Sequence, residues 1–263
     1  MKKIIIIKIG GGKDINIEGI AKDISEIKEK CIIVHGANHF RDELYSKLGK
    51  EKKILTSLSG YSSVFSNTDM IDSIMMAYSG LRNKRIVECL QKNGVNAIGL
   101  SGIDGRLIVG KKNQGIKIKE GEKIKLIRDF SGKPQSINKE LLMYLLEKDY
   151  LPVISIPIID ENGEAINTEN DDVVSLIKKE LGCNLVIHFI EAPGILKDKN
   201  DPDSLIKKLT QNDLLELESK VEGRMKRKIL ALRKLNPCRI IVADGKTENP
   251  LKDALDEKGT VVI

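Results

Sequence analysis

Lys3-Ile4-Ile5-Ile6-Ile7-Lys8-Ile9-Gly10-Gly11-Gly12 is the stretch that decides the architecture. A short β-branched run closed by glycines reads as a buried strand feeding a tight turn. Strands buried on both faces belong to parallel sheets sandwiched between helices. The same unit recurs outward from it. Ile17, Ile20, Ile24 and Ile27 follow at helical spacing, and Cys31 to His35 is a second buried strand ending at Gly36. Asn38 to Leu48 reads as a helix and Lys50 to Gly60 as a basic loop. Thr68-Asp69 opens a helical stretch running to about Lys92, where Asn93-Gly94 stops it, and Val95 to Leu100 is a strand.

The second half keeps the alternation after one interruption. Ser101 to Phe130 breaks into short alternating segments separated by glycine, the pattern of hairpins. Ser136 to Lys148 reads as a helix, Leu151 to Ile156 as a strand and Asp160-Glu161-Asn162-Gly163 as a hairpin turn. Asp171 to Leu181 and Glu222 to Leu235 read as helices; Asn184 to Ile190, Arg239 to Ala243 and Thr260 to Ile263 read as strands. Strands alternating with helices predict an α/β three-layer sandwich with a mainly parallel central sheet. No Pro-, Gly- or Ser-rich linker divides the 263 residues, so the expectation is one domain spanning 1–263.

Composition narrows the functional class. Lysine and arginine number 44 against 38 acids, a net charge of +6, which points to a small anionic or acidic partner. Aromatics are 3% with no tryptophan, too few for the base-stacking surfaces of single-strand or RNA binders, so nucleic acid is excluded. Cys31, Cys89, Cys183 and Cys238 form no Cys-x-x-Cys pair, so no metal site is expected and the thiols read as free in a reducing cytoplasm. The Met1-Lys2-Lys3 start is followed by only four apolar residues before Lys8, too short a run for a signal peptide or membrane span.

Parallel sheets bind ligands at the carboxyl ends of their strands, so the loops there carry the chemistry. Lys8-Ile9-Gly10-Gly11-Gly12 offers glycine backbone to a phosphate with a lysine beside it, without matching a Walker loop or a dinucleotide fingerprint. His35-Gly36-Ala37-Asn38 leads into a helix N-terminus, which favours anions. Ala165 to Asp172 places Asn167 and several acids at another helix start, where Asn and Asp also serve simply as caps. Gly223-Arg224-Met225-Lys226-Arg227-Lys228 puts bases at a helix start, the wrong sign for the dipole, which hints at an anionic ligand.

Together these loops resemble the amino acid kinase superfamily over nearly the whole chain. The resemblance rests on Lys8-x-Gly10-Gly11, Val34-His35-Gly36, Asn167 with Asp171, Gly223-x-Met225 with Lys228, and Gly259-Thr260-Val261. It is strongest toward acetylglutamate kinases and, through Asn96 to Arg106 and Gly223 to Lys228, toward the LysW-linked aminoadipate/glutamate kinase branch. The resemblance implies a carbamate kinase-like fold, with about 1–165 as substrate lobe and about 166–263 as nucleotide lobe. It implies transfer of the γ-phosphoryl group of ATP, with Mg²⁺, to a side-chain carboxylate in lysine or arginine biosynthesis. Lys8, Lys228 and Asp171 would be catalytic; Gly36, Ala37, Asn38, Val64 and Asn167 would bind substrate. Gly10, Gly11, Glu191, Gly194, Gly223, Met225 and Asp244 would bind nucleotide, with Gly10, Gly11 and Gly36 donating backbone N–H groups. It further implies a small acidic LysW-like amino-group carrier as partner and a homodimer. Free N-acetylglutamate kinase and a non-catalytic nucleotide- or amino-acid-binding regulator on the same scaffold are the competing readings; the trio of Lys8, Asp171 and Lys228 speaks against the second.

The match breaks at the substrate end. Ala37-Asn38 stand where the family's loop continues with glycine, and Val64-Phe65-Ser66-Asn67 stand where members carry Arg-x-Thr-Asp to grip a carboxylate. A valine cannot pair with a carboxylate, so either Arg41, Arg82 or another base substitutes, or the substrate differs there. Lys47, Lys50, Lys52 and Lys53, and then Arg82, Lys84 and Arg85, form two basic stretches that suit an acidic carrier or are solvated faces. His35 is expected to orient its loop, and His39 and His188 to be structural.

Overall fold

The structure is a computed structural model that describes residues 3–198, 200–201, 203–221 and 223–263, the side chains of 223–225 apart. From the amino end run β1 (Ile4–Ile9), α1 (Ile17–Glu26), β2 (Lys30–His35), α2 (Asn38–Lys47), β3 (Ile54–Thr56) and β4 (Ser62–Val64). One continuous helical stretch follows: α3 (Thr68–Ile74), a π-helical segment (Met75–Arg82) and α4 (Asn83–Lys92). Then come β5 (Ala97–Ser101), β6 (Ile108–Lys112), β7 (Ile116–Glu120), β8 (Lys123–Ile127), β9 (Gly132–Ile137), α5 (Lys139–Glu147), β10 (Leu151–Ser155), β11 (Ile158–Asp160) and β12 (Ala165–Ile166). The remainder is α6 (Asn170–Leu181), β13 (Leu185–Ile190), β14 (Lys208–Leu209), α7 (Gln211–Lys220), α8 (Gly223–Lys234), β15 (Arg239–Asp244), α9 (Pro250–Leu255) and β16 (Thr260–Val262).

Among the described residues the main sheet runs β14-β16-β15-β13-β1-β2-β10-β5, parallel throughout except for the β15–β16 pair. The opening isoleucine run lies near its centre, flanked by β2 and β13. Successive side chains of a strand point to opposite faces. Ile4 and Ile6 therefore join the cluster holding Val173, Val174 and Ile177 of α6, while Ile5, Ile7 and Ile9 join the one holding Ile20 and Ile24 of α1 and Leu251 of α9. Those two apolar layers make the expected three-layer sandwich. Lys8 falls on the α6 face, and that parity delivers its ammonium to the start of α6. A smaller sheet, β12-β11-β6-β9, and the hairpins β3–β4 and β7–β8 stand beside the carboxyl end of the main sheet.

Four stretches depart from the expected elements. The basic loop contains β3, because Leu55 buries and Ile54–Thr56 pairs with Ser62–Val64. The helix expected from Ser136 begins at Lys139: Gly132–Ile137 is taken by pairing with β6, and Asn138 caps the helix by accepting from the Leu141 N–H at 3.0 Å. The helical run to Lys92 is continuous but widens to π geometry over Met75–Arg82. Helix α7 went unread; Thr210 and Asp213 form its reciprocal capping box. Glu222, the expected first residue of α8, lies outside the described residues. All four cysteines are free, and among the described residues no helix is long and apolar enough to cross a membrane.

A buried carboxylate ties the first helix to the last. Asp23 of α1, fully buried, accepts at Oδ2 from the N–H groups of Leu251 (2.9 Å) and Lys252 (3.2 Å) at the start of α9. Asp23→Ala leaves those donors buried without an acceptor, so urea unfolding should show a loss of about 2 kcal/mol or more, hydrogen bonds to charged groups being worth about 1.5–3 kcal/mol. An unchanged midpoint would contradict this role.

Candidate active site

The carboxyl ends of β1, β2, β10 and β13 and the start of α6 enclose a cavity of about 510 Å³. Its wall includes Lys8, Gly10, Gly11, Gly36, Asn38, Val64, Asn167, Asp171, Glu191 and Lys228. The expected catalytic trio is thus brought together: Nζ of Lys8 lies 3.0 Å from Oδ1 of Asp171, their side chains 13% and 18% exposed, and Lys228 faces the same space. Burial alone would raise the Asp171 carboxyl; the charges of Lys8 and, more weakly, Lys228 outweigh it and hold the group below the usual aspartate value. Asp171 also sits in the first turn of α6, where the helix dipole favours an anion.

The two glycine loops meet backbone to backbone. A side chain on Gly36 would place Cβ 2.9 Å from the Gly11 nitrogen, and one on Gly11 would come 2.7 Å from the Asn38 nitrogen. That approach sets the floor of the cavity and excludes any larger residue. It also corrects an expected role. Gly10 N–H donates to Phe189 O and Gly36 N–H to Ile9 O, both at 2.9 Å, because the strand ladders run one residue further. Among the described residues the N–H groups of Gly11 and Gly12 make no such bond, so they remain for a ligand.

The substrate-end residues are held by partners the sequence did not single out. Asn167 Nδ2 donates to Ser66 Oγ at 2.9 Å, and Ser66 N–H donates to the buried carboxylate of Asp129 at 3.0 Å. The π-helical segment braces two loops. Tyr78 O–H donates to Asn38 Oδ1, which turns the amide's donor end from Tyr78, and Ser79 Oγ donates to Ile156 O at 3.1 Å. Asn83, just beyond the segment, donates through Nδ2 to Val153 O at 2.9 Å and lies 3.2 Å from His35 Nε2. His35 Nδ1 faces Gly36 O at 3.3 Å, so the consistent assignment is a neutral imidazole protonated at Nδ1, a positioning group. Ala37 is buried below this network and Val64 lines the wall without a polar atom.

At the nucleotide end the agreement is partial. Glu191 lines the cavity and accepts from the Asp14 N–H at 2.8 Å, latching the glycine loop to the end of β13. Gly194 and Asp244 lie off the cavity wall: Gly194 packs on Thr260, and Asp244 ends β15 and accepts from Lys246 N–H at 2.9 Å. Gly223 begins α8, and the Met225 side chain lies outside the described residues. One basic residue departs from its expected place. Arg82, expected on the surface, is buried with its guanidinium over the Phe40 ring at 4.8 Å. Arg227 reaches the cavity, where it pairs with Glu169.

The amino acid kinase family pattern matches residues 3–241. The chain belongs to that family. It is 37% identical to the LysW-aminoadipate kinase of Thermus thermophilus, over 98% of this chain and 99% of that protein. An acetylglutamate kinase of Methanopyrus kandleri is 30% identical over 98% and 99%. Among solved structures, the carbamate kinase of Giardia superposes with a TM-score of 0.68 at 14% identity, covering 100% of this chain and 99% of that one. That likeness is one of fold, and it matches the mainly parallel sheet expected from the isoleucine run.

One further site residue is placed by the register between strands, which the sequence does not show. His188 is the register partner of Lys8 across the β1–β13 ladder and is buried beside the ion pair. Burial, then the Lys8 charge, pushes its imidazole down to about 3, and burial pushes His35 down to about 3 as well. Both therefore stay neutral when folded but take protons below their ordinary value of about 6.5 when unfolded. Stability should be fully present above about pH 6.5 and fall as pH drops toward 3, by up to about 1.4 kcal/mol per pH unit for each imidazole. The depressed carboxyl of Asp171 acts in the same direction at the acid end. Urea unfolding between pH 7 and pH 4.5 checks this; a flat profile would contradict the assignment, and His188→Gln should shallow the slope.

Proposed function

We propose that this chain transfers the γ-phosphoryl group of ATP to the side-chain carboxylate of an amino-masked acidic amino acid carried on a LysW-type protein. The product is an acyl phosphate. The observation that carries this reading is the Lys8–Asp171–Lys228 arrangement at the bottom of a two-ended cavity. A carboxylate acceptor is ionised at neutral pH, its ordinary pKa being near 4, so the reaction needs no general base. What it needs is positive charge on both sides of the transferring oxygens. Lys8 supplies it from β1 and Lys228 from α8, and Asp171 orients the first directly. His188 and His35, held neutral, add no competing proton transfer.

The glycine floor fits a nucleotide's phosphates: among the described residues the Gly11 and Gly12 N–H groups carry no backbone acceptor. Among the described residues no cluster of three or more His, Cys, Asp or Glu is placed to hold a metal ion. Mg²⁺ would be held largely through the nucleotide, as is usual for this ion, and would supply charge neutralisation there.

The carrier-linked form is supported by the shape of the cavity's other end. Past Asn167, Glu169 and Arg227 it adjoins a second cavity of about 270 Å³, lined by Ser57, Tyr61, Ile116 and Ala231. An amino mask leaving the reaction centre therefore has a path between the β3–β4 hairpin and α8. A family relative named for a LysW-linked substrate, at 37% identity, supports the same choice over free N-acetylglutamate.

Hydroxylamine trapping of the acyl phosphate, with carrier-linked 2-aminoadipate, carrier-linked glutamate and free N-acetylglutamate as acceptors, tests the proposal. Carrier-linked acceptors should give hydroxamate; hydroxamate from free N-acetylglutamate alone would overturn the carrier. Lys8→Ala and Lys228→Ala should each lower kcat by about 10²–10³ or more in a folded protein, the usual effect of removing one charge-stabilising group. Turnover at the wild-type rate in either variant would sink the mechanism.

A further inference from the structure

We infer that Arg41 is the specificity-determining residue of this site and grips a second carboxylate of the substrate, the one that is not phosphorylated. The inference rests on the reaction proposed above. Arg41 is the fourth residue of α2 and is only 5% exposed, yet its side chain lines the cavity together with Asn38, Val64, Tyr78 and Ile156. A guanidinium this far out of water needs compensating negative charge. The protein supplies less than it needs. Nε (2.9 Å) and Nη2 of Arg41 both end on one oxygen of Asp42, and the other oxygen of Asp42 is taken by Lys52. One carboxylate thus serves two cations, leaving one unmatched positive charge at the cavity wall.

The geometry of that pairing says what can supply the missing charge. Asp42 occupies the Nε side of the fork, and among the described residues Nη1 makes no hydrogen bond. The Nη1–Nη2 edge is the one that receives a carboxylate through two parallel bonds. Beside it, Tyr78 holds the oxygen of the Asn38 amide, so Asn38 also offers donors rather than acceptors. Val64 and Ile156 on the same wall are apolar. Donors at Arg41 and Asn38, with the shared Asp42, describe a place for a small planar anion. The phosphates have their own cations in Lys8 and Lys228, so the group left for Arg41 is the carboxylate beside the masked amine. Arg82, the other base considered, is absent from the wall and committed to the Phe40 ring.

Calorimetric titration without ATP tests the assignment, using the carrier loaded with 2-aminoadipate and the carrier loaded with 5-aminopentanoate, the same chain lacking that carboxylate. Wild type should bind the first at least about 30-fold more tightly, the range seen when one partner of a buried charge pair is removed. Arg41→Gln should bring the two ligands level by weakening only the first, and Arg41→Lys should recover part of the difference. Equal weakening of both ligands by Arg41→Gln and Arg41→Lys, or a wild type with no preference, would overturn the inference. Hydroxylamine trapping on the same samples keeps the two claims apart: preference in binding with no acyl phosphate removes the proposed reaction and leaves the grip standing.

Discussion

Everything at the working end of this molecule depends on an ammonium group lifted out of water at the end of a central strand. Lys8 is the penultimate residue of β1, and the alternation of the strand points it at α6 rather than α1. Burying that charge is tolerable only because Asp171 waits in the first turn of α6, itself favoured there by the helix dipole. The pairing fixes the spacing of β1 and α6, and Lys228 faces the same cavity from α8. Lys8 and Lys228 thus bring two ammonium groups to one cavity, the condition for drawing two anions into one space. His188, the register partner of Lys8 on the neighbouring strand, stays neutral beside it.

The same arithmetic recurs more weakly over the surface. Much of the lysine excess that suggests a basic face is neutralised locally: Lys47 by Glu43, Lys50 by Asp69 and Lys52 by Asp42. Exposed pairs of this kind contribute little to stability, but they remove charge from the long-range field. Positive side chains gather at the cavity as well, in Lys8, Lys228 and Arg41. A net charge of +6 is therefore a poor guide to the strength of an encounter surface and a fair one to the sign of the ligand.

Much of the fold was legible because buried parallel strands are nearly pure apolar runs, and β1, β2, β10, β13 and β15 all have that character. Short or edge elements escaped. β3 has one buried residue, and α7 is mostly exposed, so neither carries enough periodicity to stand out. Lys8, Asp171 and Lys228 were legible as candidates from the chemistry of the glycine loop and the helix starts. Their supports were not. Tyr78, Asn83, Ser66 and His188 act through pairings set by tertiary register, which leaves no local pattern. Gly10 and Gly36 misled for a related reason: a glycine at a strand end signals close approach, but only the ladder decides where its N–H points.

The π-helical segment Met75–Arg82 has a consequence for how the chain tolerates changes in length. A π turn holds about one residue more than an α turn, so the segment amounts to an insertion absorbed within a helix. Deleting one residue there would restore ordinary pitch and better local hydrogen bonding. Winding the same residues at α pitch with none removed would instead rotate one side against the other by about 100° for each residue absorbed, the angle a residue subtends in an α-helix. Tyr78 and Asn83 could then no longer brace the Asn38 and His35 loops at once. The irregularity is a phase adjustment, and the frame of this helix, more than its composition, is what selection has to hold constant.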